Sequence, residues 1–467
     1  MYYFNLLTKF FGIFNYCEWT IISSLLIANF VNTITFNCMD AFYPKEVRLP
    51  SVLFYLKFII LEEIFLRANR RQMNTGDIGI IIGIYQISRF LIAPFTGKYI
   101  ITIGTSKAFF FSLFLTAMTA FLFGFLTLLP NGKLFFWASL LIRIFQAFAR
   151  TIFVISSLTI MAQLFPSNIS LLGGLLEAFA GFGYISGPVI GSILFEFGGF
   201  ITPNLTFGTL MALTGIAFAL TTKLSKRKLN KLEEDKENNK NSSEEFDNNS
   251  NNLKFISKNN KICSNNTCEF SKNKIIKNDF GKDGLFSIFK GITCSFFQAP
   301  LPEHLNSLNS SSILIGIVYT IMSISYFISA PIWGLLMGIN KNKCQHSAII
   351  VTIFGLLLAF LSTFLMGPFP FLPIKKTILL IGISFALLGC SSAALYIPVF
   401  QLCSDISKNK STQEESTKIY AFLFGLVQSS STLGSFSGSL IGGFGAQNVG
   451  FAWTCSLISF SHFKVII

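Results

Sequence analysis

The chain has 467 residues, of which 52% are hydrophobic and only 12% charged, with 55 Phe and a mean hydropathy of +0.60, a balance that excludes an ordinary soluble domain. The formal net charge of +14 reads as a membrane-topology signal and not as a nucleic-acid surface, because no platform of basic and aromatic residues accompanies it. Nine Cys are scattered, and Cys263 and Cys268 have no His or further Cys at ligand spacing, so neither a metal nor a cofactor is expected.

Crossing ~30 Å of hydrocarbon takes ~20 helical residues, and only helices or closed barrels satisfy the backbone there. Twelve apolar runs of that kind follow one another: near 20–43, then 78–101, 106–129, 134–164, 170–197, 200–222, 284–303, 312–338, 346–368, 376–402, 416–443 and 447–467. The expected fold class is an all-α membrane protein with twelve transmembrane helices. No small-residue cleavage pattern follows the first run, which therefore reads as a span and not as a removable signal. With a cytoplasmic N-terminus, the loops at Lys98 and Lys107, Lys223 to Lys282, Lys341 and Lys343, and Lys408, Lys410 and Lys418 all fall inside, as the positive-inside rule asks. Both termini are then cytoplasmic.

Residues 1–222 read as one six-helix half and 284–467 as the other. Between them, 223–283 opens on Lys223, Lys226, Arg227, Lys228 and Lys231, passes through Glu233, Glu234, Asp235 and Glu237, and becomes rich in Asn, Ser and Lys. That is the composition of a disordered cytoplasmic linker, whose basic start anchors topology or touches anionic headgroups. The first half carries surplus chain: Pro44 to Gly79 is 35 residues, whereas Pro302 to Gly316 is 14. The surplus, about 47–69, is apolar but interrupted by Lys57, Glu62 and Glu63. It reads either as an amphipathic helix at the outer surface or as a gene-model error, since a further span would put every later basic loop outside. Helix seven is short because of Lys290, and the last helix ends without a polar tail.

The halves share a skeleton. Gly79, Pro94 and Gly97 recur with the same spacing as Gly316, Pro331 and Gly334, and Gly183, Gly187 and Gly191 are matched by Gly434, Gly438 and Gly442. Duplicated helical membrane proteins are typically transporters whose halves rock about a central site, which makes the two halves pseudo-symmetric. Small residues at the helix-five spacing let a neighbouring backbone approach, and Pro188 removes a backbone donor and permits a bend. Together they suit a moving interface; static helix packing is the alternative.

These residues resemble the major facilitator superfamily over nearly the whole chain, and the helix-five motif resembles the one that marks its drug and amine antiporters. Within that group the chain is similar to the vesicular amine transporter family, particularly its polyamine branch. The resemblance rests on Phe42, Tyr43, Pro44, Lys45 and Glu46 after helix one, Leu141, Ile142, Arg143 and Ile144 in helix four, and Gly173 to Phe179 leading into Gly187 and Pro188. It implies a proton-driven antiporter that loads organic cations into acidic compartments. Two departures stand out: the Asp-Arg pair after helix two is replaced by Ile101 and Thr102, although Gly97 and Gly104 remain, and the acidic residue of the monoamine branch in helix one is Asn32.

Ionisable groups at membrane depth are costly and by default functional. Glu177, six residues before the helix-five motif, occupies the repeat position at which the second half carries Gln428, so one half has a carboxylate and the other its neutral isostere. A carboxylate there can hold a proton in one state and a cation in the other; a structural Glu is the alternative. The resemblance implies a part in proton coupling for Arg143, with Glu177 as one candidate partner and a fixed ion pair as the competing role. Arg150, on nearly the same helix face, reads as snorkelling toward one end. Asp40 and Glu303, with His304 beside it, are candidate cation sites at outer helix ends, and Asp405 is a weaker one at a cytoplasmic end. Ring faces favour organic cations, which selects Tyr85, Tyr319, Tyr326 and Tyr396, with most Phe taken as lipid-facing bulk. Asn29, Asn32 and Gln146 are candidate cavity-lining amides. Asn204 and Asn309 begin glycosylation triplets in predicted outer loops.

Three classes stay open: a proton/organic-cation antiporter working as a monomer in a vesicular or plasma membrane, a facilitator or symporter for other small solutes including drugs, and a non-transporting membrane protein. An enzyme is not expected, because no nucleophile elbow, phosphate loop or metal cluster appears.

Overall fold

The computed structural model describes residues 16–38, 75–126, 133–198, 201–244, 286–297, 300–301, 304, 312–339, 344–367, 377–408 and 413–466. Their helices are α1 (Tyr16–Cys38), α2 (Thr75–Ile103), α3 (Thr105–Phe125), α4 (Lys133–Leu164), α5 (Ile169–Gly198), α6 (Ile201–Glu244), α7 (286–295), α8 (Ser312–Ile339), α9 (Cys344–Met366), α10 (Ile378–Lys408), α11 (Gln413–Asn448) and α12 (Phe451–Ile466). Twelve α-helices thus stand where twelve apolar runs were read. The 21 residues of α3 give about 31 Å, a bilayer core. Eight of the twelve are long and apolar enough to cross a membrane on that ground alone. Of the other four, α7 and α12 are short, α2 carries Arg89 and Lys98, and α11 is rich in Ser and Gly at its centre. The helix α6 runs 22 residues past its expected end at 222, through the basic and acidic start of the linker; 245–283 and the surplus segment at 47–69 lie outside the described residues.

The chain divides into two compact units, one of Met1–Ser24 with Ile216–Lys282 and the other of Leu25–Gly215 with Asp283–Ile467. In the first, the described residues are the opening turns of α1 and the distal part of α6. The second holds the remaining helices, and its packing repeats as the sequence does. Helix α2 packs on α4 as α8 packs on α10, and α3 packs on α4 as α9 packs on α10. Across the halves, α2 packs on α11 as α8 packs on α5, and α4 meets α11 as α10 meets α5. These are the contacts of two six-helix halves related by a pseudo-two-fold.

The cross-half contacts close because side chains are missing. A Cβ on Gly174 would lie 2.6 Å from the Ala330 carbonyl oxygen, and one on Gly425 would lie 2.7 Å from that of Ala93. Gly334 presses likewise on the Ser170 carbonyl and Gly97 on that of Ala421. Each of these four contacts has its repeat counterpart among the others, so the skeleton Pro94 with Gly97 and Pro331 with Gly334 marks the seam between halves. Ser170 Oγ donates to Gln401 Oε1 at 2.5 Å, Gln163 Nε2 to Thr417 Oγ1 at 2.9 Å and Ser429 Oγ to the Phe90 carbonyl at 2.9 Å, all across the same seam. The second glycine series packs elsewhere. Gly183 meets Thr33 and the Phe30 carbonyl on α1, while Gly434 and Gly438 meet Ile288 and Ile292 on α7 and Gly442 meets Phe296 just beyond it, so these positions bind helices within a half. Gly187 and Gly191 are buried in α5. The surroundings of Gly79, Gly316 and Pro188 lie outside the described residues.

Membrane packing decides which Phe face lipid. In α3, Phe110, Phe111, Phe114 and Phe125 are exposed, while Ala108, Ser112, Thr116, Ala117, Ala120 and Gly124 turn inward and let neighbouring helices approach. Phe109, Phe153, Phe296, Phe297, Phe385, Phe400 and Phe424, by contrast, are fully buried, so the reading of Phe as lipid-facing bulk holds for one part of the set only. Gly104, at φ 94, turns α2 into α3 with a single intervening residue, a conformation side chains resist; Ile101 and Thr102 are simply the last turn of α2. Asn204 is a buried residue of α6 and not a loop residue, which removes it as a glycosylation site; Asn309 lies outside the described residues.

Candidate functional site

The polar centre of the larger unit is built on Glu177. The hydroxyl of Tyr326 on α8 donates to Glu177 Oε2 on α5 at 2.6 Å, a charge-assisted distance, and so ties one half to the other. Beside it, Asn29 Nδ2 on α1 donates to the Leu176 carbonyl at 2.6 Å, fixing the turn of α5 that carries the carboxylate. Glu177 also acts electrostatically on Tyr184 of its own helix and on Tyr396 of α10. Arg89 and Arg150 act on the same two tyrosines, and Tyr85 acts on Tyr184. Helices α2, α4, α5, α8 and α10 therefore converge on one cluster of phenols and charges. Tyr85, Arg89, Glu177, Tyr184 and Lys290 keep partial solvent access there.

Arg150 departs from expectation. It does not snorkel but is buried, donating to Asn32 Oδ1 and, at 3.4 Å, to Thr33 Oγ1, with its guanidinium 5.4 Å from the Phe36 ring centre. Asn32 is fully buried and supplies a neutral acceptor where a carboxylate would have supplied a counter-charge. Arg143 donates from Nη1 to Gln146 Oε1 at 3.1 Å and stacks over Phe123 at 4.9 Å. These contacts put Arg143 and Gln146 on one polar patch of α4.

Among the predicted tyrosines, Tyr326 and Tyr396 belong to the cluster and Tyr85 joins it beneath Arg89, 5.5 Å from its guanidinium. Tyr319 does not. It is 2% exposed within the core of the second half, its ring against Phe297 and Phe385 and its hydroxyl without a hydrogen-bond partner. Asp40 and Glu303 lie outside the described residues, as does the side chain of Asp405. His304 stacks on Phe451 with ring centres 4.4 Å apart, which places it against α12.

Three members of the cluster escape a reading of the sequence by residue type: Arg89, Tyr184 and Lys290. Lys290 Nζ sits 3.5 Å above the Tyr396 ring centre. Arg89 had a signal, since it stands ten residues after Gly79 as Tyr326 stands ten after Gly316. The repeat thus sets a phenol and carboxylate (Tyr326, Glu177) against a guanidinium and carboxamide (Arg89, Gln428) at matching positions. Elsewhere, His462 on α12 is buried and shares a 2.6 Å hydrogen bond with Thr293 of α7 through Nε2.

A duplicated helical bundle whose halves meet at glycine seams around a polar centre is the architecture of an alternating-access solute carrier. The family model described as Major Facilitator Superfamily matches residues 10–414, and the chain belongs to that superfamily. It is similar to the protein named MFS-type transporter SLC18B1 in Rattus norvegicus, 25% identical over 91% of this chain and 80% of that one, and to its Homo sapiens counterpart, 25% identical over 94% and 82%. Among solved structures it is similar in fold to the human organic anion transporter MFSD10 (TETRAN), with TM-score 0.59 at 14% identity over 96% of this chain and 99% of that one. The E. coli fucose:proton symporter FucP (N162A) gives TM-score 0.58 at 15% identity over 95% and 96%. The chain is an integral, multi-pass membrane transporter of small solutes and not an enzyme.

Proposed function

We propose that this transporter is a secondary active antiporter exchanging protons for organic cations of the polyamine or monoamine class across a vesicular membrane, working as a monomer with both termini cytoplasmic. The observation that carries the reading is the hydrogen bond from Tyr326 to Glu177, a carboxylate bound across the two halves. Ionised, Glu177 accepts the phenol and attracts an ammonium group, for which the Tyr184, Tyr326 and Tyr396 rings offer faces. Protonated, it has no charge to hold the cation, so proton and amine compete for one group and their movements are exchanged. Arg143, held by Gln146, is the second residue of the proton-coupling path, and Arg150 is held beside it on α4 by Asn32. Seam glycines let the halves close on either side of the site, and the second glycine series keeps each half rigid while it rocks.

The test is uptake of labelled spermidine and serotonin into proteoliposomes with an acidic interior, for the wild-type chain and Glu177→Gln. Gradient-dependent uptake that is lost in the variant is expected. Uptake that survives a protonophore removes the proton from the mechanism, and a Glu177→Gln protein with wild-type uptake removes Glu177 from it.

A further inference from the structure

One cation in the bundle is held by a ring. Lys290 Nζ lies 3.5 Å from the centre of the Tyr396 ring, well inside the ~6 Å over which a ring face attracts a cation, and among the described residues it makes no ion pair. Helix register builds this contact. Cys294 Sγ on α7 lies 3.2 Å from Ser392 Oγ on α10; one turn back along α7 is Lys290 and one turn on along α10 is Tyr396, so the antiparallel pair brings them level. The same stripe of α10 continues against α5. Gly173 presses on the Phe400 ring and Ser170 Oγ donates to Gln401, which makes these two helices antiparallel as well. One turn on from Gly173 is Glu177, and one turn back from Phe400 is Tyr396. Tyr396 thus stands level with a primary ammonium from its own half and with the carboxylate of the opposite half.

We propose that Lys290 is a tethered competitor for the transported amine: in the empty carrier its ammonium fills an ammonium subsite on the Tyr396 face, and the incoming amine displaces it. The side chain shows what the subsite takes, a primary ammonium on an unbranched alkyl chain, which is the chemistry of an alkylamine terminus. This rests on the reading of Glu177 as the amine site and adds the ring that the same amine meets level with it. Lys290 keeps partial solvent access, so its flexible stem lets the displaced ammonium swing to water. Helices α7 and α10 belong to one half, so the competitor stays with its ring while the halves rock and weakens amine binding on both sides of the membrane. An exchanger that binds its amine weakly on both sides can release what it has carried.

The test is spermidine binding, read as stabilisation of the purified full-length chain against thermal unfolding in detergent at constant ionic strength. Lys290→Met is expected to raise apparent spermidine affinity about tenfold, the size of one desolvated cation–ring contact no longer contested, and Lys290→Arg to leave it near the wild-type value. In a Tyr396→Leu background the gain from Lys290→Met should vanish. A gain that persists there comes from charge at a distance and overturns the displacement, as does unchanged or weakened affinity in Lys290→Met, or no stabilisation of any of these proteins by spermidine. Lys290→Gln takes the place of Lys290→Met if the latter does not fold. Glu177→Gln separates this proposal from the reading it rests on. Affinity lost in Glu177→Gln with none gained in Lys290→Met sinks the competitor and keeps the carboxylate; affinity gained in Lys290→Met with none lost in Glu177→Gln keeps the competitor and removes the carboxylate.

Discussion

Gly174→Ala tests the seam between the halves directly. The added methyl would stand 2.6 Å from the Ala330 carbonyl oxygen, where ordinary contact begins near 3.4 Å, so α5 and α8 must part by about 0.8 Å. Overpacking of that order costs about 1–3 kcal/mol, and it is charged only to the arrangement in which these helices touch. The closed seam should therefore lose about 5- to 150-fold in population relative to arrangements in which the halves separate there. Disulfide formation between Cys placed at Gln163 and Thr417, hydrogen-bonded across the halves at 2.9 Å, reports that closure on a background with the native Cys replaced. Cross-linking should slow in Gly174→Ala and, by the symmetry of the repeat, in Gly425→Ala, whose methyl meets the Ala93 carbonyl. Gly438→Ala is the control, because its contacts with Ser295 and Ile292 lie within one half; it should lower thermal stability and leave cross-linking alone. Unchanged cross-linking in both seam variants, or equal slowing in the control, refutes the assignment of the two glycine series.

Tyr326→Phe removes the donor from Glu177 and should cut gradient-driven uptake by about tenfold or more, as befits loss of a hydrogen bond to a charged group; in Glu177→Gln the same change should add little, and full additivity in the double variant would show that the two act separately. Thr293→Val leaves the buried His462 Nε2 without its partner and should cost about 1–3 kcal/mol, seen as a lowered unfolding temperature that Thr293→Ser restores.

The arrangement of helices was legible in the chain because lipid imposes a simple rule: each crossing must satisfy its own backbone within a run of apolar residues, so number and order of helices appear as composition. Spacing of Gly79, Pro94 and Gly97 against Gly316, Pro331 and Gly334 disclosed the duplication, and Glu177 stood out as an acid among apolar neighbours. Helix ends were less legible, as α6 shows, since a charged helix continues beyond the membrane by hydrogen bonds that hydropathy does not register. The site was legible only in part. Tyr326 donates to Glu177, whereas Tyr319, chosen by the same reasoning, points into an aromatic core.

By itself, then, the sequence determined the solvent, the helix count, the repeat and the scarcity of membrane-depth carboxylates, all properties of single segments or of spacing along them. Tertiary structure alone decided which glycines form the seam and which stiffen a half, that Arg150 is anchored by Asn32, and that Lys290, a flaw in a span when read along the chain, lies on the ring of Tyr396. Those outcomes depend on the rotation of each helix about its axis against partners more than a hundred residues away, and in a chain this uniformly apolar no amphipathic stripe fixes that rotation in advance.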